Sequence, residues 1–258
     1  VSKIDLRDTT FCLPVFLDNS DRAENLKITY DYLNDTFDTR ILVGEMDKES
    51  RIKDVPVDVF IHMDDWYFHK TRVLNILYKL TRTPIIVRYD IDCQFHPSQL
   101  VAARDQIKNG ADMSYPFCGT FHNFDRKYKQ FFIDKKAYEL PLGNKLNVKE
   151  DHCGTLISTV SYGGVSFHNK LSFFASGIEN QHLKSWGAED TCVFHRLRQL
   201  GKVITRTEGT CYHLDHDRTM NSSSYHEFAG SNETICNQMG YKSKSEIERE
   251  IDTWDWVK

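Results

Sequence analysis

The sequence predicts an α/β protein with a mostly parallel central sheet covered by helices on both faces. Three observations predict it. Short apolar runs at 11–17, 40–44, 57–61 and 84–89 read as buried strands. Segments of helical periodicity separate these runs, as the crossovers of a parallel sheet require. The chain has 258 residues, 40% hydrophobic and 27% charged, which gives enough apolar material for one large α/β domain.

The elements follow in order. Residues 11–17 (Phe-Cys-Leu-Pro-Val-Phe-Leu) form the first strand, and Asn19 or Ser20 caps a helix in which Leu26, Tyr30 and Leu33 recur at helical spacing. Strands at 40–44 and at Val57 to Ile61 come next, then a helix with Val73, Leu77 and Leu80 on one face. The fourth strand, 84–89, runs straight into Asp90-Ile91-Asp92. Pro97 stands where a first helical turn tolerates proline, and Leu100, Ala103 and Ile107 line one side of that helix up to Gly110.

The second half is less regular. Residues 123–139 read as an aromatic-rich helix with Tyr128, Phe131, Phe132 and Tyr138. Gly163-Gly164 precedes a strand at 165–167 and a short helix near 170–175. Trp186-Gly187 leads into a helix carrying Val193, Leu197 and Leu200, closed by Gly201. From Met220 onward the chain reads as a polar tail, with a final helix at 243–251. No repeat or linker interrupts it, so the expectation is a single domain over 1–258, in sections 1–110, 111–218 and a tail 219–258.

A net charge of −4 gives no sign of a general nucleic-acid binder, although a few local cations can still meet one anionic ligand. No run approaches the roughly 20 apolar residues of a membrane span, and no basic-then-apolar leader is visible. The seven cysteines, at 12, 93, 118, 153, 192, 211 and 236, include no close pair, which argues against a disulfide framework. Sequons at Asn34, Asn221 and Asn232 are of a number that chance supplies. These readings favour a reducing, cytoplasmic location.

Three groups of residues can carry chemistry. Asp90 and Asp92 follow a buried strand, where alternate carboxylates of an extended segment face one side and suit Mg²⁺ or Mn²⁺. His213 and His216 offer imidazoles for a borderline ion such as Mn²⁺ or Zn²⁺; the plain alternative is a pair of surface histidines in a loop. In Trp186-Gly187-Ala188-Glu189-Asp190, two acids open a helix whose dipole stabilises them as anions, and the indole offers a flat apolar face to a sugar ring. Helix capping accounts for the two acids but leaves the adjoining Trp-Gly unexplained.

The ordered set of Tyr162-Gly163-Gly164, Trp186 to Asp190, and His213-Leu214-Asp215-His216 resembles the C-terminal half of β1,4-galactosyltransferases. It is similar also to chondroitin-polymerase-type enzymes and polypeptide N-acetylgalactosaminyltransferases. The N-terminal half resembles family 2 glycosyltransferases in layout, with a proline in the first strand and D-x-D ahead of a helix. The resemblance implies a GT-A (Rossmann-like) fold whose residues 1–110 bind nucleotide and whose residues 111–218 take donor sugar and acceptor.

It also implies roles. Asp92 and His216 would hold Mn²⁺ or Mg²⁺, with His213 as a further ligand. Asp190 would be the catalytic base. Asp90, Glu189, Gly164, Glu45 and Arg22 would meet the nucleotide-sugar donor, and Trp186 the acceptor. Lys70 and Arg72 are further basic candidates. The usual Asp-Gly-Ser-x-Asp after the second strand is replaced by Gly44-Glu45-Met46-Asp47.

The implied activity is inverting transfer of galactose or N-acetylgalactosamine from a UDP-sugar to a glycan or lipid-linked saccharide. The implied setting is bacterial surface-polysaccharide synthesis, with peripheral association at the inner face of the cytoplasmic membrane. A retaining transferase, a metal-dependent hydrolase and a non-catalytic carbohydrate-binding domain remain the alternatives.

Overall fold

The computed structural model describes residues 2–134 and 154–258. Its seven-stranded sheet has the order β10-β6-β9-β4-β1-β2-β3. The strands are β1 (Ile4–Val15), β2 (Phe37–Asp47), β3 (Val59–His62), β4 (Ile85–Tyr89), β6 (Met113–Tyr115), β9 (Val165–Asn169) and β10 (Ile204–Arg206). Only β9 runs antiparallel to its neighbours, pairing β4 and β6, so the mostly parallel expectation holds. A second sheet, β5-β11-β7-β8, was not foreseen. It joins β5 (Cys93–Gln94), β11 (Cys211–Leu214), β7 (Phe121–Phe124) and β8 (Gly154–Ser158).

Local chemistry explains the main elements. Helix α1 (Ser20–Thr36) starts where the Asn19 side chain accepts from the Arg22 amide at 3.0 Å. Helix α3 (Pro97–Lys108) has proline in its first turn and a reciprocal cap between His96 and Gln99. Helix α2 (Lys70–Leu80) packs on β2 so closely at Gly44 that a Cβ there would stand 2.7 Å from Val73 Cγ1. Its buried stripe is Val73, Leu74, Leu77 and Tyr78; Leu80, expected on that face, is the terminal residue and is 46% exposed.

Two sequence expectations fail in the second half. The helix expected at 123–139 is instead the end of β7, a 3-10 turn at Arg126–Tyr128 and a short α4 (Lys129–Ile133). Aromatic content misled there, because alternating burial at His122 and Phe124 is a strand pattern. Residues 135–139, with Tyr138, lie outside the described residues. Residues 165–169 and α5 (Lys170–Ala175) stand as expected.

The stretch read as a polar tail is also structured. It contains α7 (Ala229–Tyr241) and the expected α8 (Lys244–Ile251), which follow α6 (Glu189–Gln199). Helix α7 escaped notice because it buries Asn232, Cys236 and Met239, a face that starts on a polar residue. Together α6, α7 and α8 enclose a small core of Leu183, Cys192, Met239, Ile247 and Trp254, separate from the main core around both sheets. No described helix is long and apolar enough to cross a membrane.

Candidate active site

The site forms where β4 ends. Residues 91 and 92 turn rather than extend, so the turn and not strand alternation places Asp90 and Asp92 in the cavity that both line. The turn is pinned from two sides: the Asp90 amide donates to the Gly164 carbonyl (2.9 Å), and the Leu214 amide donates to the Asp92 carbonyl (2.7 Å). Cys93 then pairs with His213 across β5 and β11. The unforeseen second sheet is therefore what carries the histidines to Asp92.

Asp92, His213 and His216 are all buried, and one potential ligand atom from each lies within 4.8 Å of the others. Asp92 Oδ2 stands 3.5 Å from His213 Nε2 and 3.3 Å from His216 Nε2. Asn123 Oδ1 meets His213 Nδ1 at 2.8 Å, while the Asn123 amide nitrogen donates to Asp215. The Asp217 carbonyl meets His216 Nδ1 at 2.8 Å. Both partners only accept, so each Nδ1 carries a proton and each Nε2 is the ring nitrogen left facing Asp92. Metal-binding histidines commonly donate from their other ring nitrogen in this way, which fixes the ring's orientation. Burial opposes ionisation of Asp92, yet charge and Nε2–H donation from His213 and His216 in their protonated form hold its carboxyl well below the usual range. An ion bound there would take the place of those protons. One carboxylate oxygen and two neutral imidazoles suit Mn²⁺ well and Mg²⁺ less well.

The second cluster surrounds Arg88, a residue that sequence reasoning passed over. It sits in β4 with every neighbour in the strand buried. Its guanidinium lies 2.7 Å from Asp190 Oδ1, 3.4 Å from Glu189 Oε1 and 3.7 Å from Glu179 Oε2. The signal was available, since an arginine inside an apolar strand must find buried anions. Lys70 completes the cluster, 2.7 Å from Asp90 and 3.5 Å from Glu189. Burial and Arg88 disfavour the Lys70 charge, but Asp90, Asp190 and Glu189 outweigh them and keep it protonated above the ordinary lysine range.

These surroundings separate the two adjacent acids. Burial disfavours the Glu189 anion, but Lys70 and Arg88 draw its carboxyl below the usual value. Asp190 keeps 24% of its side chain open to the cavity. Burial pushes it up to about 7, aided by Glu189 and Asp90 and opposed by Arg88 and Lys70. Divergent environments of this kind mark one group as a fixed anion and the other as a proton acceptor near neutrality.

Backbone geometry makes room for both. A Cβ on Gly163 would stand 3.0 Å from Asp190 Oδ2, and one on Gly164 only 2.9 Å from Cys93 Sγ. Gly164 also has φ +93°, a conformation that L side chains rarely adopt. Ser185 (φ 59°) and Ala188 (φ 66°) are left-handed just before α6, the kind of local strain that collects at functional sites. The loop is held from behind by α7. Asn232 Nδ2 lies 2.8 Å from the Lys184 carbonyl and 3.4 Å from those of Trp186 and Gly187, while its Oδ1 accepts from the Lys184 amide. His226 Nε2 donates to the Trp186 carbonyl at 2.7 Å. Asn232 is thus fully engaged as a structural clamp, and Asn221 accepts from the Phe68 amide.

One cavity of about 250 Å³ collects these groups. Asp90, Asp92, Gly164, Trp186, Glu189, Asp190, His213 and His216 line it, as do Arg22 and Lys70. Arg22 pairs with Asp18 at 3.0 Å and reaches to 4.0 Å from Asp92. Glu45 is the exception among the sequence-derived donor residues. It is fully buried at the end of β2, where its carboxylate accepts from Ser50, Arg51 and Ile52 and shapes the following turn. Arg72 likewise does not line the cavity. Arg218, Asn221 and Ser222 do, though they fall in the segment expected to be a tail. A larger hollow of about 410 Å³ beside α1, with Glu24, Tyr32 and Ile133, holds none of this chemistry.

No protein-family profile and no curated protein matches the chain significantly. Solved structures do. S. aureus TarS in complex with UDP-GlcNAc aligns over 94% of this chain and 70% of its own, with TM-score 0.56 and 10% identity. A Drosophila β1,4-galactosyltransferase 7 variant in complex with manganese, UDP-Gal and xylobiose aligns over 91% and 80%, with TM-score 0.51 and 14% identity. Glucosyl-3-phosphoglycerate synthase from Mycobacterium tuberculosis, with Mg²⁺ and UDP, aligns over 91% and 79%, with TM-score 0.50 and 10% identity. At such identities the likeness establishes the fold, a GT-A Rossmann-like α/β architecture.

Proposed function

We propose that this chain is a metal-dependent glycosyltransferase that moves a sugar from a nucleoside diphosphate donor to a hydroxyl of a saccharide. The observation that carries the reading is the meeting, in one cavity at the end of β4, of the Asp92–His213–His216 cluster with Asp190 beside Arg88. Asp92, His213 and His216 would hold Mn²⁺ or Mg²⁺, which when bound supplies neutralisation of charge on the departing diphosphate.

The chain's own residues do the rest. Asp190 takes the proton of the acceptor hydroxyl, whose oxygen bonds to the anomeric carbon as the bond to phosphate breaks. The electron pair of that bond leaves with the nucleoside diphosphate. Arg88 keeps the Asp190 carboxyl available as an anion near neutral pH. Glu189 and Asp90, both paired with Lys70, face the donor beside Gly164, with Arg22 on the nucleotide side. Trp186, 40% exposed, offers its ring to the acceptor.

The finer reading is attack from the face opposite the leaving group, with inversion, from UDP-galactose or UDP-N-acetylgalactosamine. The acceptor is a glycan or lipid-linked glycan of bacterial surface-polysaccharide synthesis, reached at the cytoplasmic membrane face by a single catalytic domain. The solved GT-A relatives bound to UDP-sugars support the donor class.

Thermal stabilisation by a panel of nucleotide sugars, with and without Mn²⁺, tests the reading, because a ligand that binds only the folded state raises apparent stability. Stabilisation by a UDP-sugar that needs Mn²⁺ is expected. Metal-independent binding of free glycans, with no response to any nucleotide sugar, would replace the enzyme with a carbohydrate-binding domain. Product anomericity by NMR then decides inversion against retention.

A further inference from the structure

Beyond Trp186 the cavity wall continues as a bank of aromatic side chains that the chemistry above does not use. Trp66 is 40% exposed. The Trp66 and Phe228 rings stack with centroids 5.8 Å apart and planes at 8°. Tyr67 meets Trp66 at 5.7 Å and Phe228 at 4.9 Å, edge to face. Trp66 Nε1 donates to Glu227 Oε1 at 3.2 Å, and Lys184 Nζ lies 5.8 Å and 5.4 Å from the Tyr67 and Phe228 centroids. Single exposed apolar residues need no explanation, whereas a contiguous, pinned bank does.

The bank is tied directly to the cavity. Phe68, two residues after Trp66, lines the cavity, and its amide donates to Asn221, another lining residue, at 2.7 Å. His226, two residues before Phe228, holds the Trp186 carbonyl. Asn221 and His226 thus tie the bank to the part of the cavity that Trp186 lines.

We propose that Trp66, Tyr67 and Phe228 form a subsite for saccharide units of the acceptor beyond the unit that reacts; this rests on the transferase reading above. Flat rings with negative faces attract the polarised C–H faces of pyranose units. Glu227 and Lys184 stand at the same place to accept from and donate to hydroxyl groups. The alternative occupant, an anionic membrane surface, calls for a cluster of cations. Here Asp64 and Asp65 directly precede Trp66, and Glu227 sits against its ring nitrogen.

The test is binding of the purified chain, with Mn²⁺ and UDP, to arrayed β-linked glucose, xylose and N-acetylglucosamine oligomers of one to six units. Longer oligomers are expected to bind more tightly than single sugars. Trp66→Ala should reduce that long-to-short ratio by about tenfold, the scale of one lost aromatic contact. Phe228→Ala, at the ring stacked on Trp66, should reduce it severalfold and carries the test alone if Trp66→Ala fails to fold. An unchanged ratio in the folded variants overturns the subsite. Absence of any saccharide binding, with Mn²⁺-dependent UDP-sugar stabilisation intact, also overturns it and leaves the transferase reading standing. Loss of both removes that reading too. Capture of the unmodified chain, but not Trp66→Ala, by phosphatidylglycerol vesicles would overturn the subsite in favour of a membrane contact.

Discussion

Arg88→Met removes the cation that opposes burial at Asp190. An opposite charge within about 4–6 Å lowers a carboxyl by about 1–3 pKa units, and Arg88 stands 2.7 Å from Asp190. Lys70 stays in place, so the lower part of that range applies, and Asp190 should rise by about 1–2 units from about 7. At pH 7 its ionised fraction then falls from about one half to about 1–10%. The rate at pH 7 should fall about 5–50-fold from protonation alone. The assay is kcat/KM against pH from 6 to 9.5, whose acid limb reports the base of the free enzyme. In the Met variant that limb should move up by about 1–2 units, so that activity recovers at high pH. Glu179 also loses a partner, and breaking a buried pair costs about 3–5 kcal/mol, so the Tm should drop. If that variant does not fold, Arg88→Gln carries the test, because it removes the same charge while leaving a polar side chain to meet the carboxylates. A folded variant slowed by one constant factor at every pH would refute the tuning argument and leave Arg88 as packing.

The remaining predictions address the other parts of the site. Asp190→Asn should cut transfer by about 10²–10⁴-fold while Mn²⁺-dependent donor stabilisation persists; turnover near that of the parent would remove Asp190 as base. The same variant tests a stability slope. The folded carboxyl of Asp190 is raised from 3.8 to about 7, so its contribution is present below the unfolded value and is lost as pH rises through about 7. The Tm of the parent should fall over that window more steeply than that of Asp190→Asn. His216→Ala should abolish stabilisation by Mn²⁺ with a UDP-sugar, read by thermal shift; retention of the full effect would place the ion elsewhere. Gly164→Ala forces a Cβ to 2.9 Å from Cys93 Sγ at φ +93°. It should cost about 1–3 kcal/mol in urea denaturation, and an unchanged midpoint would show that the turn yields easily.

Much of the fold was legible because its cause is local. The strand that ends at Asp90, the Asn19 cap and the Pro97 helix start are each written in a few adjacent residues. The second sheet was not legible, because β5 is two residues long and β11 joins strands about 120 and 90 positions away. That explains a mixed outcome at the metal site. Asp92, His213 and His216 are brought together, but by a turn and a strand rather than by an extended D-x-D. Glu45 shows the opposite failure: an acid at a strand end invites a ligand, yet its oxygens are taken by the amides of the next turn. Arg88 was missed because it sits in an apolar run, where the pattern of the strand outweighs the oddity of one charge.

The Asn232 clamp divides control of the site between two layers. The spacing of Asp92 to the histidines is set by pairing between β5 and β11, and a sheet register does not stretch. The position of Asp190 is set instead by a strained loop suspended from the first turn of α7. The contacts of Asn232 therefore bear on the loop that leads into Asp190, not on the strands beside the ion-holding residues. The helical layer at the back thus bears on Asp190 and its neighbour Glu189 together, through contacts separate from the strand pairing beside the ion-holding residues.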